Sequence, residues 1–64
     1  MQKFLEVTVK DNGNMLLIDT SHIYYIVMEK SGLCSIQIVD PRTKKLMCIE
    51  VTESYELIKK RLFL

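Results

Sequence analysis

Tryptophan is absent from this 64-residue chain, and proline, glycine, histidine and cysteine are scarce: Pro41, Gly13 with Gly32, His22, and Cys34 with Cys48 are all there is of each. Each scarcity excludes something. One histidine and two widely separated cysteines, with no CxxC or HxxxH companion, supply no metal-ligand spacing, and no cofactor motif is present. Two glycines make no phosphate loop; Asn12-Gly13 lacks the further glycines and the lysine that wrap an anion, so it is a turn. Charge of one sign is lacking too. Nine Lys or Arg stand against eight Asp or Glu, and a net charge of +1 provides no broad basic field for a phosphate backbone. Nucleic-acid binding on a small barrel, with two Phe and three Tyr for stacking, ranks below the readings developed next.

Long apolar runs are also missing. None approaches the roughly 20 residues of a membrane helix, and Lys3, Glu6 and Lys10 interrupt any signal-peptide core near the N-terminus. A cytoplasmic protein with reduced thiols is the expectation. A domain of this size buries only about 60% of the surface of its unfolded chain, so its one core needs reinforcement. With disulfide and metal set aside, association with a partner is the reinforcement left.

What is present is hydrophobic sequence, 48% of the residues, in strand-like order. Leu5, Val7 and Val9 alternate with Phe4, Glu6 and Thr8, the period-two pattern of a half-buried strand. Asp11 to Asn14 turns the chain into a second strand, Met15 to Ile18. Asp19, Thr20 and Ser21 before His22-Ile23 predict a single capped helical or 3₁₀ turn. Tyr24 to Glu29 and Leu33 to Val39 read as a hairpin on a two-residue Ser31-Gly32 turn. Asp40-Pro41-Arg42-Thr43 makes the next turn, and Lys45 to Val51 the fifth strand.

From Thr52 the period becomes helical. Thr52 is the expected cap, Glu53 and Glu56 suit the positive end of the helix dipole, and Lys59, Lys60 and Arg61 suit the negative end. Tyr55, Ile58 and Leu62 form a stripe that Leu57 and Phe63 broaden. The fold class is therefore mostly β with one C-terminal helix, α+β, in a single domain spanning 1–64: a five-stranded antiparallel meander or a small SH3-like or Sm-like barrel capped by the helix.

The predicted registers assign faces. Pairing Lys30 with Leu33 and Asp40 with Lys45 places Tyr25, Val27, Cys34, Ile36, Ile38, Met47, Ile49 and Val51 in one layer, under the helix. Tyr24, Ile26, Met28, Val39, Leu46 and Cys48 then fall on the other face, which a solvated sheet would make polar. Either the first hairpin, through Leu5, Val7, Val9, Leu16 and Ile18, closes over this second layer, or a partner covers it. Tyr24, Ile26, Met28, Val39 and Leu46, together with the apolar end Phe63-Leu64, are thus the candidate interface of a homo-oligomer. Cys34 and Cys48 lie on opposite faces, too far apart for a disulfide.

No catalytic constellation emerges. Asp19, Ser21 and His22 are adjacent in sequence, but a triad needs convergence in space, and a self-satisfied capped turn accounts for them. No enzyme is expected. His22, Tyr24, Arg42, Lys44 and Lys45 are candidate ligand residues, with cations to grip an anion and a ring to stack.

The order of Val7-Thr8, Asn12-Gly13, Ile18-Asp19 with Ile23, and Val51-x-Glu53-Ser54-Tyr55-Glu56 resembles the small flagellar FlbD-type proteins of bacteria over most of the chain, with a longer second hairpin carrying Asp40-Pro41-Arg42. The resemblance implies a small, cytoplasmic, non-enzymatic accessory protein of bacterial or phage type, and it carries over no functional residue. Two functions follow from the residues. One is a self-associating module that binds another protein through an apolar sheet face or an open strand edge. The alternative is an oligomer that sequesters an anionic, nucleotide-like small molecule in pockets between protomers.

Overall fold

A computed structural model describes every residue, Met1–Leu64. Five strands and one helix follow the predicted order: β1 (Phe4–Thr8), β2 (Met15–Asp19), a 3₁₀ turn (Thr20–His22), β3 (Ile23–Met28), β4 (Cys34–Val39), β5 (Leu46–Val51) and α1 (Tyr55–Leu62). The strands form two antiparallel sheets, β1-β2 and β3-β4-β5, and not one continuous meander. The sheets meet at one corner, where β1 runs on into a bridge from Val9 to Val51. Lys10 N–H donates to the Glu50 carbonyl (3.0 Å) and Thr52 N–H to that of Thr8 (3.0 Å). At the opposite corner β2 and β3 do not pair, so each is a free edge.

Three loops set the registers. Lys10 to Gly13 and Pro41 to Lys44 share one geometry, in which the residue before the loop accepts from the last loop residue: Val9 from Gly13 (2.9 Å) and Asp40 from Lys44 (2.8 Å). Both last residues are left-handed, Gly13 at φ 72° and Lys44 at φ 63°. Side chains help to fold the loops: Asn12 accepts from Asn14 N–H, and Asp40 from Arg42 N–H. The Asp40 to Lys45 pairing is as predicted, and Ile38 faces Met47, Ile36 faces Ile49, and Cys34 faces Val51.

The β3-β4 loop corrects the prediction. Glu29 N–H donates to the Leu33 carbonyl and Gly32 N–H to that of Glu29, so the loop has three residues, Lys30-Ser31-Gly32. Gly32, at φ 89°, is the left-handed last residue of that three-residue loop, and not a member of a two-residue turn. The shift is one residue, which turns a strand over. Ile26 faces Ile36 and Met28 faces Cys34, whereas Tyr25 and Val27 face Gln37 and Ser35 on the outer side.

There is one core. Leu5 and Val7 of β1, Ile18 of β2, Cys34 and Ile36 of β4, Val51 of β5, and Ile58 and Leu62 of α1 are buried, with Leu16, Ile23, Ile26, Ile38, Ile49 and Tyr55 packed around them. The first hairpin thus lies over the same layer as the helix, and not over the second face. Each fully buried aliphatic side chain contributes about 1.5–3 kcal/mol, so these few must carry the fold.

The helix begins later than predicted. Ser54, not Thr52, caps it by accepting from Leu57 N–H (3.1 Å). Glu53 lies outside the first turn and reaches β1, where its carboxylate accepts from Thr8 N–H (2.8 Å) and Thr8 Oγ1 (2.9 Å). Arg61 stands 3.5 Å from that carboxylate and donates to the Glu6 carbonyl (2.7 Å). These contacts dock both ends of α1 on β1. Ile58 and Leu62 face the core as expected, but Leu57 and Phe63 are exposed.

Candidate functional site

The register leaves the outer face of β3-β4-β5 uncovered. Its rows are Val27, Ser35 and Glu50; Tyr25, Gln37 and Cys48; and Val39 with Leu46. No strand or helix packs over it, since the hairpin and the helix occupy the other side; only at the Ser35–Glu50 end do Val9 and Asp11 come alongside, and Ser35 is buried there. β3 is the most open strand: Tyr24 is 64% exposed, Tyr25 47%, Val27 40% and Met28 61%.

A bulge between Ile23 and Tyr25 adds Tyr24 as an extra residue. It sets the rings of Tyr24 and Tyr25 with centroids 5.2 Å apart, where an unbroken strand would have sent them to opposite faces as expected. The predicted interface set is therefore split. Tyr24, Val39 and Leu46 remain accessible to different degrees, whereas Ile26 turns to the core and is half-buried against it. Met28 shares the core-side register with Cys34 yet stays exposed at the open edge. Phe63 and Leu64 are exposed after the helix, where Gln2 Nε2 donates to the Leu64 carbonyl (2.8 Å).

The candidate ligand residues lie toward one end of the three-stranded sheet. His22 ends the 3₁₀ turn that leads into β3, and Arg42, Lys44 and Lys45 belong to the β4-β5 loop and its exit, beyond the Val39 to Leu46 pair. The cleft is elsewhere. It holds about 390 Å³ and is lined by Val9, Asp11, Glu29, Ser35, Cys48, Ile49 and Glu50, none of them predicted as ligand residues. Its three carboxylates give it the wrong sign for an anion. Ser35, almost wholly buried, donates its hydroxyl to Glu29. These residues were missed because they meet only through the bridge of Val9 to Val51 and the corrected β3-β4 register.

Asp19, Ser21 and His22 form the capped turn that was expected. Asp19 Oδ1 accepts from Ser21 N–H (3.0 Å) and Ser21 Oγ (2.8 Å). The hydrogen bonds from Ser21 hold the Asp19 carboxyl below its usual range, aided by the nearby His22 and Lys3. Both cysteines are free, Cys34 buried and Cys48 exposed, on opposite faces. Burial, with a contribution from Glu29, pushes the Cys34 thiol up, which suits a small core residue and not a nucleophile. No group of His, Cys, Asp and Glu is placed to hold a metal ion, and no helix is long and apolar enough to cross a membrane.

Comparison of the chain with family models, with curated proteins and with solved structures finds no match.

Proposed function

We propose that this chain is a small non-enzymatic interaction module that self-associates and binds another protein through the outer face of β3-β4-β5 or an open strand edge. One observation carries the reading: eight apolar residues are buried, while thirteen large hydrophobic side chains are exposed, four of them on β3. The accessible surface is 4640 Å², against roughly 4,200 Å² for a folded monomer of this mass. A polypeptide with this imbalance gains stability when another surface covers it. The resemblance to FlbD-type accessory proteins supports a role without chemistry.

Leu46→Glu tests the face. Leu46 is exposed and lies two strands from the β3 edge, so the substitution leaves core and edge intact. In cross-linking mass spectrometry within the source cells, wild type should cross-link reproducibly to a partner protein, and the folded variant should lose that cross-link. The same partners at the same yield would overturn the use of this face.

A second reading keeps the anionic small molecule, because Arg42, Lys44 and Lys45 share one sheet end with His22. A melting temperature raised by an anionic nucleotide would support it, and flat shifts across a nucleotide panel would remove it.

A further inference from the structure

We infer that two copies of this chain join through β3, edge to edge and antiparallel about a two-fold axis at Ile26, merging their three-stranded sheets into one of six. The inference rests on the self-association reading and names its partner and register.

The backbone determines which groups are free. Glu29 exchanges both its main-chain bonds with the β4 side, through Leu33 and Gly32. Because alternate residues of a strand point to opposite edges, Val27 also bonds toward β4, and Ile26 and Met28 hold N–H and C=O outward. Ile26 therefore sits on the axis and exchanges both bonds with Ile26 of the second copy, and Met28 comes beside the bulge at the second copy's Tyr24, where the regular ladder ends. Between these, Tyr25 and Val27 of opposite copies meet on the outer face, an aromatic and a β-branched side chain at the close, non-hydrogen-bonded spacing. Faces match in this register, so both cores stay on one side.

Three features of the molecule favour a second copy. β3 carries no charge and no proline over its length, Ile23–Met28, although four of its six residues are exposed; its one protective feature, the bulge at Tyr24, lies at its start and leaves Tyr25 to Met28 a plain edge. The other free edge, β2, is one residue shorter and ends on Asp19. Charge is also arranged for an antiparallel partner. At the Glu29 end of the sheet Asp11, Glu29 and Glu50 outnumber Lys10 and Lys30, and at the His22 end Arg42, Lys44 and Lys45 outnumber Asp19 and Asp40. A two-fold axis sets the acidic end of one copy beside the basic end of the other.

Sedimentation equilibrium from micromolar to millimolar concentration, on wild type and on Met28→Pro, tests this. Proline removes the outward N–H of Met28 and breaks no bond to β4. Wild type should give twice the chain mass of 7.5 kDa, and Met28→Pro, with unchanged circular dichroism, should weaken the dimer by about tenfold or more. Should Met28→Pro not fold, Met28→Lys, which adds the charge that single edges carry, should act in the same direction. A wild type monomeric throughout overturns the dimer. A variant that dimerises as tightly as wild type overturns the β3 edge while self-association stands. Neither outcome depends on Leu46, so a failure of the outer face as the protein-binding surface is read separately.

Discussion

Tyr24 and Tyr25 are neighbours in sequence, and their rings lie 5.2 Å apart at an interplanar angle of 49°, within contact distance of each other. The bulge at the start of β3 brings them together, and both remain largely exposed. Tilted aromatic pairs of this kind are worth about 0.5–1.5 kcal/mol beyond their burial. The exposure here puts the pair at the lower limit. Alanine at either position should cost under about 1 kcal/mol in urea unfolding, and the double-mutant cycle should give a coupling of about 0.5 kcal/mol. A coupling of zero would mean that the rings do not interact in solution.

Lys44 occupies a backbone conformation that its counterpart loop gives to glycine. It lies at φ 63° at the end of the Pro41 to Lys44 loop, and Gly13 holds the equivalent place at φ 72°. A left-handed conformation costs a residue with a side chain roughly 1–2 kcal/mol, partly offset by the greater freedom that glycine has when unfolded. Lys44→Gly should therefore stabilise by up to about 1 kcal/mol, and Gly32→Ala, forced to φ 89°, should destabilise by about 1–2 kcal/mol. For a chain this short, 1 kcal/mol moves the melting temperature by roughly 4–8 °C, which calorimetry resolves. A lower melting temperature for Lys44→Gly would refute the shared loop geometry.

The contrast between these loops explains what was legible. Pairs within β4-β5 follow from Pro41 and the loop length, because proline fits only one place in that turn. The pairs within β3-β4 hang on one glycine. Ser31-Gly32 suits a two-residue turn and also the end of a three-residue loop, and local sequence does not separate the two, yet the choice decides which face Tyr25, Ile26, Val27 and Met28 take. Helix position was legible from the Ile58 and Leu62 stripe. Its first residue was not, because Glu53 is drawn away by Thr8, a contact between residues far apart in sequence. Of the candidate ligand residues, His22, Arg42 and Lys44 are turn or loop positions as their sequence suggests, Tyr24 is a strand residue as expected, and Lys45 lies just before β5, not in it; the acidic cleft was invisible because its members come from four separate stretches of chain.

Ile58 is the centre of the helix-to-sheet contact and is wholly buried. Ile58→Ala removes packing worth about 2–5 kcal/mol, and a chain of this length has a total stability of about 3–10 kcal/mol. The variant should lose a large part of that stability, with the α1 signal in circular dichroism melting at a much lower temperature than in wild type. Leu57→Ala, one residue away and exposed, should change stability by less than about 0.5 kcal/mol. Equal effects at the two positions would contradict the observed orientation of the helix.

Glu53 ties the start of α1 to β1, and its titration gives stability a defined pH dependence. Burial pushes this carboxyl up, but the two hydrogen bonds from Thr8, the Glu53 backbone N–H and Arg61 outweigh it and hold the group below its ordinary value of 4.5. A carboxyl depressed on folding contributes stability that is complete above its unfolded pKa and is lost as pH falls through the folded one. The loss should thus begin below about pH 4.5 and continue downward. Glu53→Gln keeps the shape and removes the charge, so it should cost about 1.5–3 kcal/mol at neutral pH, the worth of hydrogen bonds to a charged group. Its melting temperature should also fall less steeply with acid than that of wild type. Parallel acid profiles for the two proteins would show that Glu53 does not carry the linkage. Thr8→Val, which removes the hydroxyl donor and leaves the backbone one, should fall between them.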